Sequence, residues 1–129
     1  MAYIDMEKKE VHYCDSMSGS GEFALTTIMN YLKEELKNKK GTILNEKEWK
    51  TIDHQESVPQ QNNCTDCGVF TSVNCILACL KLVSYAFRND LQPFDYSQKD
   101  IPRIRKYLVY SIVHNKLLFV CLSFKFVFF

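Results

Sequence analysis

Cys67 is the residue in this sequence best placed to do chemistry. It follows a polar loop, Val58 to Asp66 (VPQQNNCTD), and opens a long apolar segment that reads as a buried helix. A thiol at a helix N-terminus feels the positive end of the helix dipole, which favours the thiolate, and the thiolate is the nucleophile. Gly68 beside it leaves space for a substrate backbone to approach. Asp66 is placed to act as the N-cap. The N–H groups of the first turn have no helical partner and suit a developing oxyanion. The same residues also support plainer readings. A capped helix can carry a cysteine that is simply buried. Cys64-Thr65-Asp66-Cys67 is also a C-x-x-C, the spacing of a thiol oxidoreductase, although no βαβ pattern is expected ahead of it. Zinc bound by Cys64, Cys67, Cys75 and Cys79 is disfavoured, because the second pair lies inside a continuous helical stretch, too close to the first.

The elements that must hold Cys67 follow from hydrophobic periodicity. Ala2 to Met6 and Val11 to Cys14 read as two strands of a hairpin around a polar Glu7-Lys8-Lys9 turn, ending at Asp15. Leu25, Ile28, Met29, Leu32 and Leu36 share one face of an amphipathic helix, which Gly41 ends as C-cap. A third short strand is expected around Trp49 to Ile52, with Trp49 as a packing residue. Cys67 to Tyr85 is apolar nearly all round, which predicts a helix in the middle of the core. After a linker with Pro93, a last helix starts near Asp100, with Pro102 in its first turn and Ile101, Ile104, Leu108, Ile112 and Val113 as its buried stripe. The apolar run after Leu118, residues 119–129, is set apart from the domain at 1–118 as a tail of unknown role.

The wider window around Cys67 resembles the active-site signature of the Ulp/SENP family of SUMO-specific cysteine proteases. That signature reads Pro-Gln-Gln, a short polar stretch, then Asp-Cys-Gly and two apolar residues; here it is Pro59-Gln60-Gln61 and Asp66-Cys67-Gly68-Val69-Phe70. Tyr13-Cys14-Asp15-Ser16 resembles the family's Tyr-x-Asp-Ser. Phe94, Ile101-Pro102, Arg105 and Lys116-Leu117-Leu118 are similar to its C-terminal helix. The resemblance implies an α+β, papain-like fold, incomplete at the N-terminus, and a mostly antiparallel sheet. It implies Cys67 as nucleophile, Gln61 as an oxyanion-hole donor and Asp15 as the carboxylate that orients a histidine; Gln60 would shape the loop. The implied partner is SUMO or a related modifier, with cleavage after Gly-Gly, no cofactor and a nuclear or cytoplasmic location.

The family's histidine comes from a His-Trp pair on the strand before the hairpin, a position this sequence does not contain. Its three histidines are His12, His54 and His114. His12 lies three residues before Asp15 on one strand, so their side chains point to opposite faces. His54 falls in a surface connection, and His114 near the end of the last helix. The expectation is therefore a chain inactive by itself, with a non-catalytic SUMO-binding pseudo-protease as the alternative.

Composition narrows the field further. A net charge of +1 supplies no field to attract nucleic acid or an anionic membrane. With 47% hydrophobic residues the chain can build a core, and 129 residues suit one domain. The charged N-terminus (Asp5, Glu7, Lys8, Lys9, Glu10) does not read as a signal peptide, so the six cysteines are expected to be reduced thiols.

Overall fold

In this computed structural model the described residues are 1–55, 57–84 and 96–116, with only the backbone described for 80–84. Tyr85, the Pro93 linker, Phe94 and the tail from Leu117 onward lie outside them.

The chain opens with a hairpin. β1 (Ala2–Asp5) and β2 (Glu10–Tyr13) pair antiparallel, with Tyr3 opposite His12 and Ile4 opposite Val11. The turn between them is closed by Asp5, whose Oδ1 accepts N–H bonds from Glu7 (3.1 Å) and Lys8 (3.0 Å). Next comes α1 (Glu22–Lys40), which ends as its sequence predicts: Gly41 adopts φ 63°, a left-handed conformation that costs glycine little, and its N–H returns to Lys37 O. β3 (Lys50–Asp53) then pairs with β2 in parallel, Val11 opposite Thr51 and His12 opposite Ile52.

This parallel pairing corrects the expectation of a mostly antiparallel sheet. The three described strands run in the order β1-β2-β3 with one pairing of each kind. Parallel neighbours need a long crossover, and α1 supplies it. β2, α1 and β3 therefore form a βαβ unit ahead of the C-x-x-C, a unit the sequence reading did not expect.

The sheet has helices on both faces. Strand alternation puts Ile4, Val11 and Tyr13 on one side, where they pack with Leu25, Leu32 and Leu44 under α1. Trp49 joins this cluster as a half-buried packing residue. Met1, Tyr3 and Cys14 face the other side and pack with Val58 of the following loop and with Phe70, Val73 and Ile101 of α2 (Cys67–Ser84) and α3 (Ile101–Val113). The architecture is α+β.

Two helix expectations change. α2 buries Val69, Phe70, Val73, Leu77 and Ala78, but Thr71, Ser72, Cys75 and Cys79 line an exposed face, so it is not enclosed all round. Its buried polar residue, Asn74, is satisfied from outside the helix: the Tyr96 hydroxyl, itself buried and so harder to ionise, donates to Asn74 Oδ1 at 2.7 Å. In α3, Ile101 and Ile104 are buried and Leu108 is partly buried, as expected, but Ile112 and Val113 are 79% and 72% exposed. Burial follows the track 101–104–108–111. Val113 lies on the far side of the helix, and Ile112 sits in the last turn, where no described residue covers it. Periodicity defines a face but not how far the neighbouring helix reaches along it.

Candidate active site

Three segments meet at the mouth of α2: the end of the hairpin (Cys14 to Gly19), the loop from His54 to Asp66, and the first turn of α2. The first two are stitched together across about 45 residues of chain. Gln61 N–H donates to Ser16 O (2.9 Å), and Ser16 Oγ donates to Gln61 Oε1 (2.7 Å). Gln60 Nε2 donates to Asp15 O (3.0 Å) and to the carbonyls of Gln55 and Val58, while Ser18 Oγ donates to Gln60 Oε1 (2.8 Å). Gln60 thus shapes the loop, as expected, and the loop is fixed onto the segment that carries Asp15.

Gln61 is half-buried and its amide is oriented by two bonds. Ser16 fixes the oxygen, and one N–H of the amide goes to Asn63 O. A primary amide has two N–H donors, so this leaves a second. Ser16 was read only as part of a motif. Its positioning of Gln61 had no local signal, because the partner lies 45 residues away.

Asp15 is half-buried, and its own turn holds it: Oδ1 accepts from Met17 N–H (3.1 Å) and Oδ2 from Gly19 N–H (2.9 Å). The second bond needs a glycine, since a Cβ on Gly19 would overlap Asp15 Oδ2. Among the described residues no histidine hydrogen-bonds to Asp15. His12 is buried and lies between Glu10 and His54, His54 bonds to His12 and Ser57, and His114 packs on Tyr110 at the end of α3. His54 lies in the connection after β3, as expected, and is half-buried and bonded there.

Cys67 is the first residue of α2, and its thiol is exposed and unbridged, as are those of Cys64, Cys75 and Cys79. Gly68 is exposed, and among the described residues a Cβ there would meet nothing within 4 Å. Among the described residues no three His, Cys, Asp or Glu side chains gather to hold a metal ion.

Asp66 differs from its expected part. It precedes the helix, and its carbonyl accepts from Val69 and Phe70 N–H. Its carboxylate, however, takes no hydrogen bond from a first-turn N–H among the described residues. Among the described residues it accepts from Asn63 Nδ2 (2.7 Å), Gln98 Nε2 (2.7 Å) and Arg105, which also pairs with it as an ion. The hydrogen bond from Asn63, followed by those from Arg105 and Gln98, holds the Asp66 carboxyl down to about 2. Cap and anchor are competing uses of one carboxylate. Three donors, one of them charged, outweigh a single N–H.

Cys67 is thus exposed at a helix mouth, and the loop that leads to it is bonded to the segment that carries Asp15. Residues 1–117 match the profile of the Ulp1 protease family, C-terminal catalytic domain, and the chain belongs to that family. It is 34% identical over 119 residues to Sentrin-specific protease 2 of Mus musculus, covering 92% of this chain and 18% of that protein. It is 36% identical over 118 residues to a Sentrin-specific protease of Caenorhabditis elegans, covering 92% of this chain and 15% of that protein. Sentrin-specific protease 5 of Homo sapiens is 30% identical over 115 residues, 89% of this chain and 14% of that protein. The chain thus spans less than a fifth of the length of these relatives.

Proposed function

We propose that this chain carries the nucleophile half of a cysteine protease site, of papain-like design, that acts on SUMO-type modifiers. In this reading the Cys67 thiolate attacks the carbonyl of the second glycine of the modifier's Gly-Gly. The free N–H of Gln61, with N–H groups of the first turn of α2, receives the oxyanion. The amine leaves with a proton from a histidine held by Asp15, and water then hydrolyses the thioester. The observation that carries the reading is the pair of reciprocal bonds between Ser16 and Gln61. They fix an amide donor and the Asp15 turn as one unit ahead of an exposed thiol. Family membership supports it independently, and a nuclear or cytoplasmic location goes with it.

The reading assigns the base to none of His12, His54 and His114. The 129-residue polypeptide is therefore expected to bind a SUMO-type modifier with negligible turnover. Incubation with SUMO carrying a C-terminal aminomethylcoumarin tests this: turnover that disappears in Cys67→Ser would overturn the inactivity. Covalent capture by SUMO with a C-terminal vinyl sulfone tests the nucleophile. An adduct on Cys67 is expected, and an adduct on Cys64 instead would favour the thiol oxidoreductase reading. The lack of a histidine bonded to Asp15 among the described residues favours a second reading, a pseudo-protease that holds a modifier without cutting it. Saturable binding with no adduct would support that reading.

A further inference from the structure

We infer that His12 and His54 form a proton-operated latch on the loop that carries Gln61. His12 Nδ1 and His54 Nε2 are 2.9 Å apart, with ring planes within 10° and centroids 5.2 Å apart, the geometry of an in-plane N–H···N bond. The pair is the middle of a chain of contacts. Glu10 Oε2 lies 3.2 Å from His12 Nε2, and Ser57 Oγ lies 3.0 Å from His54 Nδ1. The groups facing the pair come from every described strand. Tyr3 of β1 lies flat on His12, with centroids 4.4 Å apart. Glu10 of β2 has Asp5 and Lys50 as its neighbours across the sheet.

Counting protons shows how the latch works. With both rings neutral, Ser57 O–H donates to His54 Nδ1, His54 Nε2–H donates to His12 Nδ1, and His12 Nε2–H donates to Glu10. Every donor has an acceptor. A first added proton fits on His54 Nδ1, which then donates to Ser57 Oγ; only the hydroxyl turns. A second proton has one nitrogen left, His12 Nδ1, which faces the His54 N–H at 2.9 Å. Two N–H groups then point at each other across two positive rings, so the contact must open. Because the open form binds the second proton and the closed form refuses it, the contact persists at higher pH and is lost as pH falls.

The loop side is the one that gives way. His12 is buried in β2, only 5% exposed, whereas His54 lies just past β3. The His54 carbonyl accepts the N–H groups of Ser57 and Val58, and Gln60 and Gln61 follow directly. Acid release of His54 therefore loosens the segment whose end presents the Gln61 amide. The effect of this on catalysis rests on the protease reading; the latch itself does not.

The test is an NMR titration of the whole chain with labelled histidines and side-chain amides. His12 and His54 are expected to titrate in two macroscopic steps separated by at least about one pH unit. The Gln61 side-chain NH2 signals should shift with the lower step. In His54→Gln, His12 should titrate once, and the Gln61 signals should lose their pH response. If the two histidines titrate together in one step, or if Gln61 stays unchanged through the lower step, the latch is wrong. Since none of these signals depends on turnover, a failed latch leaves the protease reading standing, and a failed protease reading leaves the latch testable.

Discussion

Asp15 and Asp66 flank the same loop and are held in opposite ways. Asp15 takes its bonds from backbone N–H groups two and four residues further on. Asp66, 6% exposed, takes its bonds from side chains on its own loop, on the turn before α3 and on α3 itself, the farthest 39 residues away. A carboxylate bound by its own turn keeps its position when distant elements shift. A carboxylate clasped by three donors has no such freedom and serves as a clamp between α2 and α3. In sequence the two look alike, each standing next to a motif residue. Only the origin of their partners separates a carboxylate held by its own turn from one that ties the helix mouth to α3.

The clamp has a hydrophobic anchor beneath it, and removing that anchor is the most damaging test. Phe70 lies one turn into α2, fully buried, with Tyr96 tilted against it at 5.5 Å. Phe70→Ala is expected to cost about 3–5 kcal/mol, measured as a fall in the urea midpoint. The helix mouth should fray first, with amide exchange rising at Asp66 to Val69 before it rises in the hairpin.

Asp66→Ala comes next. It leaves the donors of Asn63, Gln98 and Arg105 without their shared acceptor, and it should lower the thermal midpoint well below that of Asp15→Ala. Asp15→Ala releases two partly exposed N–H groups and should cost about 1 kcal/mol. The reverse order would mean that the two carboxylates had been assigned the wrong way round. Acid sharpens the contrast. The Asp66 carboxyl is depressed from an ordinary 3.8 to about 2 in the folded chain, so its contribution is complete above about pH 4 and is lost as pH falls towards 2. Asp66→Asn should flatten that acid limb in a series of urea midpoints.

What could be read from the sequence divides along the same line. The hairpin, the Gly41 cap and the start of α2 at Cys67 rest on neighbours within a few residues, and they were legible as periodicity and cap chemistry. The parallel placement of β3 depends on where a 19-residue helix returns the chain, which no local pattern encodes. The use of Asp66 as an anchor and the pairing of His12 with His54 join residues 39 and 42 apart. His54 does lie in the expected connection, but the partner that fixes it, His12 buried in β2, is 42 residues away and left no local signal.

Gly19 gives a smaller and more local test of the Asp15 side. Its Cβ position is occupied by the Asp15 carboxylate, so Gly19→Ala must displace that carboxylate or the turn. A cost of about 1–2 kcal/mol is expected from the overlap. The acid limb assigned to Asp66 should not move, because no bond to Asp66 passes through this turn.

The smallest effect belongs to the end of α3, which lies beyond the clamp. Ile112 and Val113 are exposed despite their apolar character, whereas Ile101, at the other end of the same helix, is 2% exposed. If burial rather than residue type sets the cost, Val113→Ser should change stability by no more than about 0.5 kcal/mol, against about 2–5 kcal/mol for Ile101→Ala. The ratio of the two, measured in the same urea series, reads out how far along α3 the packing extends. A Val113→Ser cost approaching that of Ile101→Ala would mean that this face is covered in solution. Arg105 lies between these two ends and is half-exposed, with its head on Asp66. Beyond the clamp the helix still packs through Leu108 and buries Ser111, so only its last turn is exposed, and a well-packed Val113 would remove that distinction.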